Sequence, residues 1–331
     1  MISFTLRSII LSVLAILLFA AGWFAHGSFS HRQERTAIRL VRSGDFRFTS
    51  PLLDVELPEG IDIRQEPIRF KHEIEQYVQQ QIDAKRVAAV SVYVRDLLDG
   101  PWFGINENER FNPASMMKVP VMIAWLKRAE KDPRALKRVF VFKGGEDLTA
   151  IQDIKPRRTI VAGQRYTVDE LLHYMMNYSD NNATSLLFNA LSAQEINDVL
   201  DNMDVRNETV NGENSISTRG FSGFFRILYN AAYLNREMSE KALQLLSLED
   251  FPQGIAAGVP KGTVVAAKFG ELNQGVNGED KQLHEFGIVY HPQSPYILGI
   301  MTRGHDAAIQ AELIRTISAK VYAAFSAGPK K

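Results

Sequence analysis

The sequence predicts an α+β fold: an antiparallel sheet flanked by helices, with a mostly helical second lobe. Three observations carry that expectation. Val90, Val92 and Val94 alternate with Ser91, Tyr93 and Arg95, the period of a half-buried strand. Near the other end, Thr263-Val264-Val265-Ala266-Ala267-Lys268-Phe269-Gly270-Glu271 reads as a strand entered through the turn Pro260-Lys261-Gly262. Between them the apolar spacing turns helical. Strands from both ends then share one sheet, and the middle, about 119–258, forms the helical lobe. A cleft between the two is where a ligand is expected.

The helices follow in order. Val119–Leu126 has apolar spacing suited to a buried helix, with Pro113 just ahead of the turn that leads into it. Thr167 and Glu170 form a capping-box pattern, and Leu171, Leu172, Met175 and Met176 supply the apolar face of the helix that it starts. Ser192 and Glu195 repeat the cap for a shorter helix. Phe221, Phe224, Phe225, Leu228 and Tyr229 form a stripe at helical spacing, which is expected in the core rather than around a ligand.

Composition narrows the function. A chain of 331 residues, 45% hydrophobic, suffices for one substantial core or a domain with an inserted lobe. With 38 basic and 38 acidic side chains and no long basic run, nothing points to nucleic acid. Cysteine is absent, which removes disulfides, thiolate metal sites, cysteine catalysis and a lipoprotein-type anchor. The histidines show no His-x-x-x-His spacing on a helix, and His284-Glu285 runs into Phe286-Gly287, so neither a metal site nor a cofactor is expected.

Arg7 precedes an uncharged apolar run from Ile9 to Ala25. The run is at the short limit for spanning a bilayer and slightly long for a signal-peptide core, and Trp23 suits an interfacial belt. It favours a retained single-pass anchor over a cleaved leader; either puts the rest of the chain outside the cytoplasm. The expected organisation is an anchor or signal peptide over 1–27, an extended linker over 28–69 and one domain over 70–327. Phe46, Phe48, Leu52, Leu53, Val55 and Leu57 suit a linker that packs on that domain.

Three short motifs carry chemistry. Ser115-Met116-Met117-Lys118 puts a hydroxyl one helical turn from an amine. A serine needs a base, and a lysine serves if burial or nearby cations lower its pKa. A helix start would also aim backbone N–H groups at an oxyanion. Ser179-Asp180-Asn181 falls where the Thr167 helix should end. A hydroxyl there can relay a proton, and an amide can bind both an amine and a substrate carbonyl. Lys268-Phe269-Gly270 offers a cation for a carboxylate and a glycine that lets a ligand approach the backbone. Taken singly, these are also a cap with a surface lysine, a solvated turn and a solvated strand end.

Ser-x-x-Lys, Ser-Asp-Asn and Lys-x-Gly in this order resemble the class A β-lactamases and penicillin-binding proteins. The resemblance runs from about Phe70 to Phe325. It takes in the opening helix and strand Val87–Leu97, the turn Asp99-Gly100-Pro101 and the run Glu109-Arg110-Phe111 ahead of the serine. It also covers paired closing strands Phe286–Tyr290 and Tyr296–Arg303 and a final helix beyond His305. The resemblance implies a β-lactamase/transpeptidase-like fold and an extracytoplasmic serine hydrolase that opens β-lactam rings through a Ser115 acyl-enzyme. Lys118 would take the Ser115 proton, Ser179 would pass one to the leaving nitrogen, and Asn181 would orient the acyl side chain. Lys268 would attract the substrate carboxylate, while the N–H groups of Ser115 and Glu271, the latter just after Gly270, would form the oxyanion hole. The ligand implied is a small β-lactam or a cell-wall peptide. A penicillin-binding D-alanyl-D-alanine carboxypeptidase and a non-catalytic wall-binding relative are the alternatives.

Two departures stand out. Phe269 occupies a place where the family usually has Thr or Ser, so a hydroxyl for the substrate carboxylate is lost. The stretch between Asn181 and Thr218 is too short for the family's loop bearing a deacylating glutamate, and Glu213 is the nearest carboxylate to nominate.

Overall fold

In the computed structural model five segments of the chain form one sheet, most of them buried at successive positions because both faces of the sheet are covered. Residues 46–50, 70–98, 100–202, 208–210, 213–273 and 281–327 are described, without the side chains of 208–210 and 213. Chain order begins α1 (Lys71–Asp83), β1 (Ala89–Asp96), β2 (Trp102–Ile105), β3 (Arg110–Phe111), a 3-10 turn (Ala114–Met117) and α2 (Lys118–Lys131). The lobe continues with β4 (Val139–Val141), β5 (Arg165–Thr167), α3 (Val168–Asn177), α4 (Asn181–Phe188) and α5 (Ala193–Asn202). A hairpin of β6 (Glu208–Val210) and β7 (Glu213–Ser217) leads to α6 (Thr218–Tyr229) and α7 (Arg236–Leu246). The chain then returns to the sheet through β8 (Val265–Leu272), β9 (Lys281–Val289) and β10 (Tyr296–Gly304), and α8 (Ala307–Ser326) follows.

The strands lie in the order β2-β1-β10-β9-β8, antiparallel throughout. Alternation gives the sheet two apolar faces. Val90, Val92, Val94, Leu298 and Ile300 meet Ile74 and Val78 of α1 and Ile314 and Ile317 of α8. On the other face Phe286, Ile288, Ile297 and Met301 join Trp125, Leu172, Phe221 and Phe225 of the lobe. The aromatic stripe of α6 is therefore core, with Phe221 and Phe286 ring centroids 5.0 Å apart. At about 1.5–3 kcal/mol per fully buried large side chain, this interface outweighs any single polar contact across the cleft. The closing strands are longer than the sequence suggested. β9 begins at Lys281 because Gln282, His284 and Glu285, although polar, are buried within it.

The predicted caps form. Thr167 and Glu170 make a reciprocal capping box, and Ser192 and Glu195 do the same ahead of α5. Part of the linker lies among the described residues. Phe48 is buried there, its carbonyl accepts from the Tyr290 hydroxyl at 2.9 Å, and Glu240 accepts from the Phe48 and Thr49 N–H groups. The apolar run 9–25 lies outside the described residues, among which no helix is long and apolar enough to cross a membrane.

His284 ties the sheet to the segment ahead of the serine. Its Nδ1 accepts from the Thr302 N–H at 3.1 Å, and its Nε2 lies 3.1 Å from the Asn112 carbonyl, to which it donates. Both ring nitrogens are thus satisfied in the neutral form. Burial pushes the imidazole down to about 3 from its ordinary 6.5. Below pH 6.5 the unfolded chain takes up a proton that the folded chain refuses until about pH 3. Stability from this site should hold above pH 6.5 and fall as pH drops through that window. Denaturant midpoints between pH 7 and 4 measure it. His284→Gln, which keeps a donor and an acceptor, should flatten the slope; identical slopes would refute the assignment.

Candidate active site

The serine sits on a strained turn. Asn112 Oδ1 accepts from the Ala114 N–H at 3.0 Å, and Ala114 adopts φ +48°, a left-handed conformation unusual for a residue with a Cβ. Such a residue costs about 1–3 kcal/mol and persists only where its surroundings hold it. Here the Met116 N–H donates to the Pro113 carbonyl at 3.0 Å, closing the turn. The 3-10 geometry eclipses residues three apart, which stacks Ser115 over Lys118. Ser115 is half-buried and Lys118 is buried.

Lys118 is the hub. Its Nζ lies 3.0 Å from Ser115 Oγ, 2.9 Å from Ser179 Oγ, 2.7 Å from the Ser179 carbonyl and 2.7 Å from Asn181 Oδ1. The Asn181 amide is oriented by its own Nδ2, which donates to the Leu148 carbonyl at 3.1 Å. The Ser179 carbonyl and Asn181 Oδ1 can only accept, so they take both hydrogens of a neutral amine. The remaining lone pair faces the hydroxyls. Burial holds the Lys118 amine well below the ordinary lysine range, and the nearby Lys268 charge pushes the same way; Asp180 and Glu271 pull against them. The arrangement is that of a general base beside a hydroxyl.

Ser179 adopts φ +56° and is fully buried. Asp180, the middle residue of the Ser-Asp-Asn motif, has a structural role that the motif does not announce. Its carboxylate caps α4 by accepting from the Asn182 and Ala183 N–H groups at 2.7 and 3.2 Å. It also accepts from the Ile160 N–H at 2.8 Å and the Thr159 hydroxyl at 3.0 Å. Gln152 donates to the Ser179 carbonyl at 3.1 Å. Nothing in local spacing singles out Gln152, because it arrives from a separate loop.

β8 forms the opposite wall. It is an edge strand, and a Cβ at Gly270 would lie 2.6 Å from the Pro113 carbonyl and 3.1 Å from the Met116 nitrogen, so only glycine lets the strand come this close to the serine turn. The Phe269 N–H points off the free edge to Glu249 Oε1 at 2.6 Å, and by strand parity the Glu271 N–H points the same way. The Glu271 carboxylate accepts from the Ile154 N–H at 2.9 and 3.0 Å, and burial raises its pKa.

Lys268 and Phe269 differ from the expectation. Phe269 is 2% exposed and stacks on Phe251 at 4.6 Å, on the sheet face that packs against α1 and α8. Strand alternation turns it away from the cleft, so it replaces a hydroxyl with core rather than with a cleft-facing ring. Lys268 is wholly buried, and its Nζ pairs with Glu249 Oε1 at 3.0 Å. The carboxylate-binding role implied for Lys268 would require that contact to open. Burial pushes the Glu249 carboxyl up and the Lys268 amine down, each opposed by the partner's charge. Glu249 follows α7 with no motif to announce it. Glu249→Ala leaves a buried cation without a partner and should cost about 3–5 kcal/mol of stability. Glu249→Leu combined with Lys268→Met should recover most of it. A loss below about 1 kcal/mol in urea unfolding of the alanine variant would contradict the pairing.

Of the seven site residues nominated from sequence, Ser115, Lys118, Ser179 and Asn181 form one hydrogen-bonded group. Glu271 lines the same cleft, Gly270 packs behind the serine turn, and Lys268 lies buried beneath. The cleft encloses about 370 Å³, and its remaining walls include Val121, Phe188, Ile196, Asn214 and Leu272. In place of a long loop, the chain between Asn181 and Thr218 forms α4, α5 and the β6–β7 hairpin, which pairs with β3 through Phe111 and Ile216. The side chain of Glu213 lies outside the described residues.

An antiparallel sheet backed by helices, a helical lobe and a serine–lysine–serine–asparagine cluster between them define a serine hydrolase fold of the beta-lactamase type. The chain matches the beta-lactamase enzyme family over residues 71–325 and belongs to that family. No curated protein matches it. Among solved structures the fold is similar to PBP-A, with TM-score 0.66 and 22% identity over 80% of this chain and 100% of that one. It is similar to a beta-lactamase from Sphaerobacter thermophilus, with TM-score 0.66 and 20% identity over 78% of this chain and 99% of that one. A class A beta-lactamase from Mycobacterium abscessus gives TM-score 0.66 and 19% identity over 76% and 99%.

Proposed function

We propose that the protein is an acyl-transferring serine hydrolase that opens β-lactam rings through a Ser115 acyl-enzyme. The observation that carries this reading is the Lys118 amine, buried, depressed in pKa and 3.0 Å from Ser115 Oγ. Lys118 takes the hydroxyl proton as Ser115 attacks the lactam carbonyl. Ser179, within 2.9 Å of the same amine, returns a proton to the leaving nitrogen, so the ring C–N bond breaks with charge balanced. The N–H groups of Ser115 and Glu271 bind the oxyanion, each donor supplying about 3–4 kcal/mol of transition-state stabilisation. Lys268, fixed by Glu249, acts as a positive charge beside Lys118. Asn181 orients the acyl side chain, and the apolar run 9–25 supports a site outside the cytoplasm, tethered to a membrane.

A second reading is favoured by one observation. The stretch that carries the deacylating glutamate in class A enzymes is taken up here by α5 and the β6–β7 hairpin, which supports a long-lived acyl-enzyme of the penicillin-binding peptidase kind. A PBP-A variant of similar fold is described as an acyl-enzyme complex with penicillin G. Intact-mass measurement over time with benzylpenicillin separates the readings. An adduct that forms and disappears with product release supports the β-lactamase. A lasting adduct supports the peptidase, and neither adduct nor hydrolysed penicillin at any time refutes both.

A further inference from the structure

We propose that a recess between α6 and the β1–β2 edge is a second ligand site, one that takes a phosphate-bearing anion with two or more negative charges. It shares no lining residue with the Ser115 cleft and encloses about 630 Å³ against about 370 Å³ there. Four arginines converge on it: Arg95 from β1, Arg110 from β3, and Arg219 and Arg226 from α6. Arg219 and Arg226 lie two turns apart on one helix face. Between them Gly220 and Gly223 add no side chain and Ser222 adds only a hydroxymethyl group bonded back to the Arg219 carbonyl, which leaves the hollow.

Among the described residues the lining is basic. Acidic and basic residues are equal in number over the whole chain, yet among the described residues no carboxylate lines the recess. Arg110 donates to the Ser215 hydroxyl and carbonyl. Arg219 lies over the Trp102 ring at 5.0 Å, and Trp102 stacks on Tyr93 at 5.5 Å, which fixes that guanidinium at the rim. Among the described residues Arg95, Arg219 and Arg226 have no ion pair or side-chain hydrogen bond. The N-terminus of α6 is already occupied: Ser217 Oγ caps Gly220, and the Arg219 N–H donates to the Glu107 carbonyl. Recognition therefore falls to the guanidinium groups, whose planar forks match phosphate oxygens in pairs. Arg95, Arg219 and Arg226 repel one another at this spacing, and a ligand with several negative charges relieves that repulsion by satisfying more than one of them at once.

Calorimetric titration of the full chain in mild detergent with inorganic pyrophosphate tests the site. Binding is expected, weakening as salt is raised from 50 to 300 mM. Arg219→Gln combined with Arg226→Gln should weaken it at least tenfold while leaving Ser115 labelling by a fluorescent penicillin unchanged, which also shows that the variant is folded. Glycerol phosphate and phosphatidic acid vesicles, both phosphate monoesters, distinguish a soluble phosphate from a lipid headgroup, with phosphatidylcholine vesicles as the control without net charge; variant-sensitive binding of either supports the site. Absence of binding by all three phosphates, or equal binding by the double variant, overturns it.

Discussion

Lys118→Met is expected to slow acylation of Ser115 by roughly a hundred- to ten-thousand-fold, the range in which a positioned general base contributes. Methionine keeps most of the apolar stem that α2 buries but removes the nitrogen that now meets Ser115, Ser179 and Asn181. The Ser179 carbonyl and Asn181 Oδ1 also lose a donor, so a fall in melting temperature should accompany the kinetic effect. Stopped-flow labelling with a fluorescent penicillin, after the variant is shown to be folded, gives the rate. A value within a few-fold of the parent would remove Lys118 as the base.

Ser115→Ala should abolish the covalent adduct altogether. The hydroxyl is half-buried, and its side-chain contact is with Lys118, so the fold should tolerate its loss. The turn itself is held by Asn112 Oδ1 on the Ala114 N–H and by the Pro113 carbonyl on the Met116 N–H, neither of which involves the Ser115 hydroxyl. Adduct formation undiminished in the alanine variant would displace Ser115 as nucleophile and with it the assignment of every neighbouring group.

Much of this site was legible in the sequence because its spacing is local. Ser115 and Lys118 share a turn, and the Thr167 capping box fixes where α3 starts, the helix whose far end at Asn177 lies just before Ser179. The strand at 263–271 and its glycine followed from turn chemistry and alternation. What stayed hidden depends on contacts between distant segments. Glu249 claims the Lys268 amine from the end of α7, and Phe269 finds Phe251 rather than the cleft. The left-handed backbone at Ala114 and Ser179 is imposed by surroundings, since neither residue type favours it. Buried polar residues at 282, 284 and 285 masked the start of β9 for the same reason: their partners lie on other strands and turns.

The central claim is that the Lys118 amine is neutral and basic at the pH where the protein works. The pH dependence of the acylation rate, followed between pH 5 and 11 with a penicillin whose own reactivity is measured in parallel, tests it directly. Because the folded pKa of Lys118 is depressed, the base form should accumulate early. The rate should climb with pH and level off well below the ordinary lysine value of 10.5. A rate that keeps climbing past pH 10.5 would mean an ordinary charged lysine beside Ser115, and the proposed activation of the serine would fall.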